Sequence, residues 1–230
     1  ICRNGQVQGF VNLDCESSNS PTIPAGQFGG YVSITNALSG WTGSINGSQT
    51  TQVLQNNETL GAPSLAILGP YWNTNIFGII QGNYTLDLTA GVGNNTVSIS
   101  QTGLVPASAL SLLFEAIGGN PGVSIFQVFL GGQELNYFPL STESNYTLYG
   151  ADISSYAGKI ETLAFSDSTV NGGPALENLD DIQFSPSPIP EPSTLGLSAL
   201  GSLLLAGLAR RGVKKFSLFG GCIEQGIRSE

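Results

Sequence analysis

An all-β sandwich over residues 1–184, followed by a Pro-rich linker and one C-terminal transmembrane helix, is the architecture the sequence predicts. Three observations point to it. From Gly9 onward, short apolar runs are separated by Gly, Asn and Pro, and no helical period longer than about two turns precedes Leu195. The run Thr96–Gln101 alternates cleanly, with Val97 and Ile99 on one face and Ser98 and Ser100 on the other. Gly131-Gly132 separates two apolar runs by two residues, the spacing of a tight hairpin, because glycine takes positive φ without a steric cost.

Taken in order, strands are expected at Gly9–Asp14, Gly30–Ile34, Thr51–Leu54, Ser64–Leu68, Ile76–Gln81, Tyr84–Leu88 and Thr96–Gln101. Further strands are expected at Ala109–Ala116, Ser124–Leu130, Gln133–Phe138, Tyr146–Tyr149, Lys159–Ser166 and Leu179–Ser185. Asp152 to Gly158 reads as one helical turn, capped by Asp152 and ended by Gly158. Residues 185–194 form the linker. Its alternation Ser185-Pro186-Ser187-Pro188-Ile189-Pro190 locks φ at every second position and disfavours helix, so the segment is extended and stiff.

Residues 195–209 carry no charge. As a helix they are roughly 22 Å long, slightly short for a bilayer core that takes about 20 apolar residues. Ser198, Ser202 and Ala206 recur every four residues as a small-residue ridge that admits a partner helix. Leu197, Leu200, Leu204 and Leu208 face the other way, toward lipid. Arg210, Arg211, Lys214 and Lys215 then act as a basic stop on the cytoplasmic side, within a tail of residues 210–230.

The succession of Pro190-Glu191-Pro192, a short apolar helix and a basic cluster closely resembles the PEP-CTERM sorting signal of Gram-negative bacteria. The resemblance implies recognition by exosortase, a membrane peptidase that cuts at the motif. Pro190, Glu191 and Pro192 then mark the cleavage region, and the chain is anchored transiently in the inner membrane before reaching the cell surface or extracellular matrix. The chain departs from the family pattern by continuing from Phe216 to Glu230 after the basic cluster. An exported chain also calls for a secretory signal peptide ahead of Ile1, removed from the mature protein. The competing reading of the tail is an ordinary single-pass anchor.

Charge excludes one class of partner. Residues 1–190 hold thirteen acidic residues against two cations, Arg3 and Lys159, a net charge of −11. Such a surface repels phosphate backbones, so no nucleic acid is expected as a partner, whereas divalent cations and neutral glycans are compatible with it. There is no His, which removes the usual triad base and the imidazole metal ligands. Two carboxylates suffice for glycoside hydrolysis, so a secreted glycoside-active enzyme stands as the catalytic alternative to a non-catalytic protein. Cys15 lies in the alternating run Val11 to Cys15 and reads as a small buried apolar residue, the alternative being a disulfide with Cys2.

A second resemblance concerns the main domain. Val11-Asn12-Leu13-Asp14-Cys15-Glu16, Gly40-Trp41-Thr42 and Leu179-Asp180-Asp181-Ile182-Gln183-Phe184 are similar to segments of galactose-binding-like jelly rolls, a group that includes carbohydrate-binding modules. Cys15 stands where that family usually has Phe. The resemblance implies a jelly-roll-like antiparallel sandwich and a structural calcium between the first and last strands, held by Glu16 and Asp180 with Asp14 and Asp181 nearby. Calcium takes six to eight hard oxygen ligands, which two carboxylates with carbonyls and water supply. The other reading is that these are solvated charges at strand ends. Trp41, Tyr71, Trp72 and Phe77 are candidates for a sugar-stacking platform, with exopolysaccharide as the partner, and core packing is the competing use of each ring. The protein expected is thus an exported surface or matrix protein, or a carbohydrate-binding module or adhesin carried by the same signal.

Overall fold

The computed structural model describes residues 2–3, 6–59, 61–72, 78–118, 123–170 and 172–189. The first of the chain's two compact units, Ile1–Ile189, contains all of them. The motif Pro190-Glu191-Pro192, the apolar run and the basic cluster lie outside the described residues, as does Phe77. Among the described residues no helix is long and apolar enough to cross a membrane.

Nearly every regular element is a strand. In chain order these are β1 (Cys2–Arg3), β2 (Gln6–Val7), β3 (Tyr31–Ser33), β4 (Thr42–Ile45), β5 (Ser48–Thr50), β6 (Gln52–Gln55), β7 (Ser64–Leu68) and β8 (Thr85–Gly91). Next come β9 (Thr96–Leu104), β10 (Ser111–Gly118), β11 (Ser124–Leu130), β12 (Gln133–Glu134), β13 (Tyr137–Thr142), β14 (Thr147–Asp152), β15 (Ile160–Thr169) and β16 (Ala175–Ser185). Eight of them form one sheet in the order β13-β14-β10-β16-β8-β7-β6-β3, six form a second in the order β12-β11-β15-β9-β4-β5, and β1 and β2 pair in a separate two-stranded sheet. Neighbours in the two larger sheets run antiparallel except β6 and β7, which are parallel. The fold is an all-β, two-sheet sandwich.

Period-2 patterning sorts the side chains. On β9, Val97 and Ile99 are buried while Ser98 and Ser100 are not, as the alternation in the sequence requires. Leu86, Leu88, Leu179 and Phe114 from the eight-stranded sheet meet Val97, Ile99, Leu163, Phe165, Val128 and Leu130 from the six-stranded sheet in one core. Phe114 joins the two halves. Its ring centroid lies 5.5 Å from Phe165, 5.4 Å from Tyr137 and 5.4 Å from Tyr149. Tyr137 also donates its hydroxyl to the carbonyl of Phe126 on the opposite sheet at 2.8 Å.

The Gly131-Gly132 hairpin forms between β11 and β12, both glycines at positive φ (61° and 76°). The expected helical turn is a 3-10 turn, Ser154–Tyr156, flanked by Ile153 and Ala157 rather than by Asp152 and Gly158; Asp152 Oδ1 accepts the N–H of Ser154, and Gly158 follows at φ 74°.

Several expectations require correction. Gly9–Asp14 is not a strand: Gly9 makes a single bridge to Leu104 and the chain then turns, with Asn12 and Cys15 at positive φ. The Gln101 side-chain amide satisfies both backbone groups of Val11, so no ladder is needed there. The described part of the expected strand 76–81, Gly78 to Gln81, is a loop. β3 ends at Ser33, because Ile34–Ala37 forms one helical turn, α1. The expected strand 133–138 is divided between β12 and β13. Residues 42–50, where no strand is expected, form the β4–β5 hairpin around Asn46-Gly47, both at positive φ. An Asn-Gly pair is a strong short hairpin signal, since both residues take positive φ readily.

Candidate functional site

Glu16 and Asp180, far apart in sequence, do converge. Both are fastened to one loop, Gln81–Thr85. Glu16 Oε1 accepts the N–H groups of Asn83 (2.7 Å) and Tyr84 (2.9 Å), and Oε2 accepts the Asn83 amide (3.0 Å). Asp180 Oδ2 accepts the Thr85 hydroxyl (2.6 Å) and the Gln81 N–H (3.3 Å), while Oδ1 accepts the N–H of Asp181 (2.8 Å). The threonine hydroxyl in turn accepts the N–H of Ile80 at 2.8 Å. Gly82, at φ 60°, sits so close that a Cβ there would lie 2.3 Å from Glu16 Oε1.

The hydrogen bonds of the pair run to the protein's own donors. All four carboxylate oxygens face N–H or O–H groups, which bind anions, and no group of three or more His, Cys, Asp or Glu among the described residues is placed to hold a metal ion. Asp14 Oδ1 accepts the N–H of Glu16, and Asp181 Oδ2 accepts the Gln183 amide, so neither aims at the pair. Burial, opposed by the Thr85 hydroxyl, pushes the Asp180 carboxyl up to about 7.

The aromatic candidates separate. Trp41 is 4% exposed, packs 6.4 Å from Phe165 and donates its indole N–H to the carbonyl of Asn12 at 2.9 Å. It belongs to the core and presents no face to a sugar, which corrects that expectation. Tyr71 is 64% exposed, in a turn at φ 70°. Trp72 is half-buried against Leu54, Ala66 and Leu68, on the sheet face away from the main core. Two rings that the sequence reading passed over stand beside it. Phe28 meets Trp72 edge-on at 6.3 Å and is 74% exposed, and Tyr31 is 66% exposed opposite Leu54 in the β3–β6 register. No local signal marks Tyr31 as exposed, because that follows from β3 being the sheet edge.

A set of buried acids also escaped the sequence reading. Asp87, Asp167 and Glu177 are almost fully buried. Burial raises Asp87 to about 8, with Glu58 and Asp167 adding to it and the Thr89 hydroxyl opposing it. Burial likewise raises Glu177 to about 8 and Asp167 to about 6. Glu177 faces the core with Leu179, and Asp167 with Phe165 across from it, so they oppose each other inside the sandwich. The interruption of Leu86-Asp87-Leu88 by an acid is the signal that marks the first of these. Cys15 is a free, buried thiol whose pKa burial raises further, so the buried-residue reading holds.

Comparison with known proteins places the tail first. Residues 188–215 match the PEP-CTERM protein-sorting motif, a signal that implies an exported protein held transiently at the membrane. No curated protein matches the sequence. Among solved structures, the sandwich is similar to TmCBM61 in complex with β-1,4-galactotriose, with a TM-score of 0.42 and 14% identity over 77% of this chain and 97% of that one. It is also similar to the mannan-recognising carbohydrate-binding module TmCBM27, with a TM-score of 0.33 and 10% identity over 69% and 98% of the two chains. A third is the K2 cleaved adhesin domain of Lys-gingipain, with a TM-score of 0.34 and 17% identity over 64% and 88%.

Proposed function

We propose that this chain is a non-catalytic cell-surface or matrix protein, released by an exosortase-type peptidase that cuts close to Pro192. The single observation that carries this reading is the sorting motif at 188–215, which begins three residues after β16 ends at Ser185. In this reading residues 185–194 are the stiff linker, residues 195–209 the transient inner-membrane helix, and Arg210, Arg211, Lys214 and Lys215 the basic stop. The acids with raised pKa do not argue for hydrolysis, since they are enclosed where no substrate reaches them. Intact-mass measurement tests the proposal. The protein recovered from an exosortase-bearing host should lack everything after about Pro192, and Glu191→Ala should leave the precursor in the membrane fraction. A surface-located product that retains residues 195–215 would overturn it.

A second reading is favoured by one observation, the exposed Phe28 ring against Trp72, with Tyr71 next to it in the chain and Tyr31 exposed on the neighbouring edge strand. Flat aromatic faces pack against the C–H faces of sugars, and the acidic domain restricts the ligand to neutral chains. The jelly-roll-like sandwich then displays a neutral exopolysaccharide-binding surface. Binding to neutral polysaccharides that falls in a Phe28→Ala/Tyr71→Ala variant of unchanged melting temperature supports this reading, and unchanged binding removes the patch from it.

A further inference from the structure

A groove of about 560 Å³ lies on the outward face of the six-stranded sheet, across β11, β15 and β9. Ile160, Thr162 and Ala164 line it, alternating along β15 with Leu163 and Phe165, which point into the core. Thr102 stands opposite Thr162 in the β9–β15 register, their hydroxyls 2.7 Å apart. Phe129 stands opposite Ala164, and the small alanine is what gives the groove its depth beside that ring. The Gly131-Gly132 turn closes one end, held by the Gly131 N–H to the Thr162 carbonyl at 3.0 Å. The Glu161 carboxylate packs against that turn, so closely that a Cβ on Gly131 would lie 2.6 Å from it.

We propose that this groove is a second carbohydrate-binding site of the domain, taking a pyranose ring of a neutral glycan; the inference rests on the carbohydrate reading above. Its size falls within the range of small-ligand sites. Its apolar surface, Phe129 with the 56% exposed Ile160, suits the C–H face of a sugar. The polar groups are two hydroxyls and one carboxylate. Each hydroxyl both donates and accepts, and a carboxylate accepts two ring hydroxyls in strong charge-assisted bonds. No cation lines the groove, so phosphate, sulfate and uronate ligands lack a counter-charge there, and the net charge of −11 over residues 1–190 repels them. A purely apolar ligand would cover the carboxylate without offering it a hydrogen-bond partner. What remains is a ligand with an apolar face and a rim of hydroxyls.

Position 132, on the groove wall, offers a variant that adds a side chain there. A Cβ on Gly132 meets nothing within 4 Å, and asparagine tolerates its φ of 76°. Thr162→Val removes one hydroxyl at constant shape. The test uses the chain purified from its exosortase-bearing host, titrated calorimetrically with neutral cello-, manno- and galacto-oligosaccharides. The unaltered chain should bind at least one of them. Gly132→Asn and Thr162→Val should each weaken that binding about tenfold or more, with the melting temperature of Thr162→Val unchanged. Loss of binding in Phe28→Ala/Tyr71→Ala together with full binding in both groove variants overturns the groove and leaves the carbohydrate reading standing. No binding by the unaltered chain overturns both.

Discussion

Trp41 and Tyr71 have similar local sequence, each an aromatic residue beside Gly or Pro, yet the fold uses them oppositely. Trp41 fills the core against Phe165 and closes the N-terminal segment through its indole N–H to Asn12. Truncating a buried indole removes its transfer energy, leaves a cavity and strands the Asn12 carbonyl. Trp41→Ala is therefore expected to cost about 3–5 kcal/mol in urea unfolding. Tyr71→Ala, at the surface, should stay within about 0.5 kcal/mol of the parent. Equal costs for the two would contradict this division between core and platform.

The loop Gln81–Thr85 shows how an element without regular structure is held. Two carboxylates from opposite ends of the domain accept its N–H and O–H groups, and Gly82 provides both the positive φ and the absence of a Cβ that the approach of Glu16 demands. Glu16→Ala should abolish hydrogen-exchange protection at the amides of Asn83 and Tyr84, while amides of β9 keep theirs. If holding this loop is the role of the pair, millimolar calcium should leave the melting temperature where a chelator leaves it. A calcium-dependent rise that disappears in Asp180→Asn would make the pair metal ligands instead.

For the molecule as a whole, the governing fact is acid without counter-charge. Lys159, the one cation among the described side chains, lies 6.0 Å over the Tyr156 ring and faces none of the buried acids. Asp87 and Glu177, raised to about 8, and Asp180, raised to about 7, hold their protons more tightly folded than unfolded. The stability they contribute is complete below the unfolded values of about 4 and is lost as pH rises through the folded ones. The unfolding midpoint should accordingly be higher at pH 5 than at pH 8.5, and Asp87→Asn should flatten that slope. A midpoint that rises with pH over the same interval would refute the assignment.

Features carried by adjacent residues were determined by the sequence itself. The hairpin at Gly131-Gly132 is one, because access to positive φ belongs to the residue pair. The alternation of β9 and the sorting motif at 188–215 are others, being contiguous in the chain. Boundaries were less legible where a distant side chain intervened: the Gln101 amide takes the backbone groups of Val11, and a stretch with strand-like alternation becomes a turn. Tertiary structure alone decided which ring is covered, Trp41 beneath a sheet and Tyr71 in solvent. It alone brought Glu16 to Asp180 around one loop, and set Thr102, Phe129 and Thr162 side by side. The physical reason is that burial and convergence depend on the pairing register of strands far apart in sequence, which no local pattern encodes.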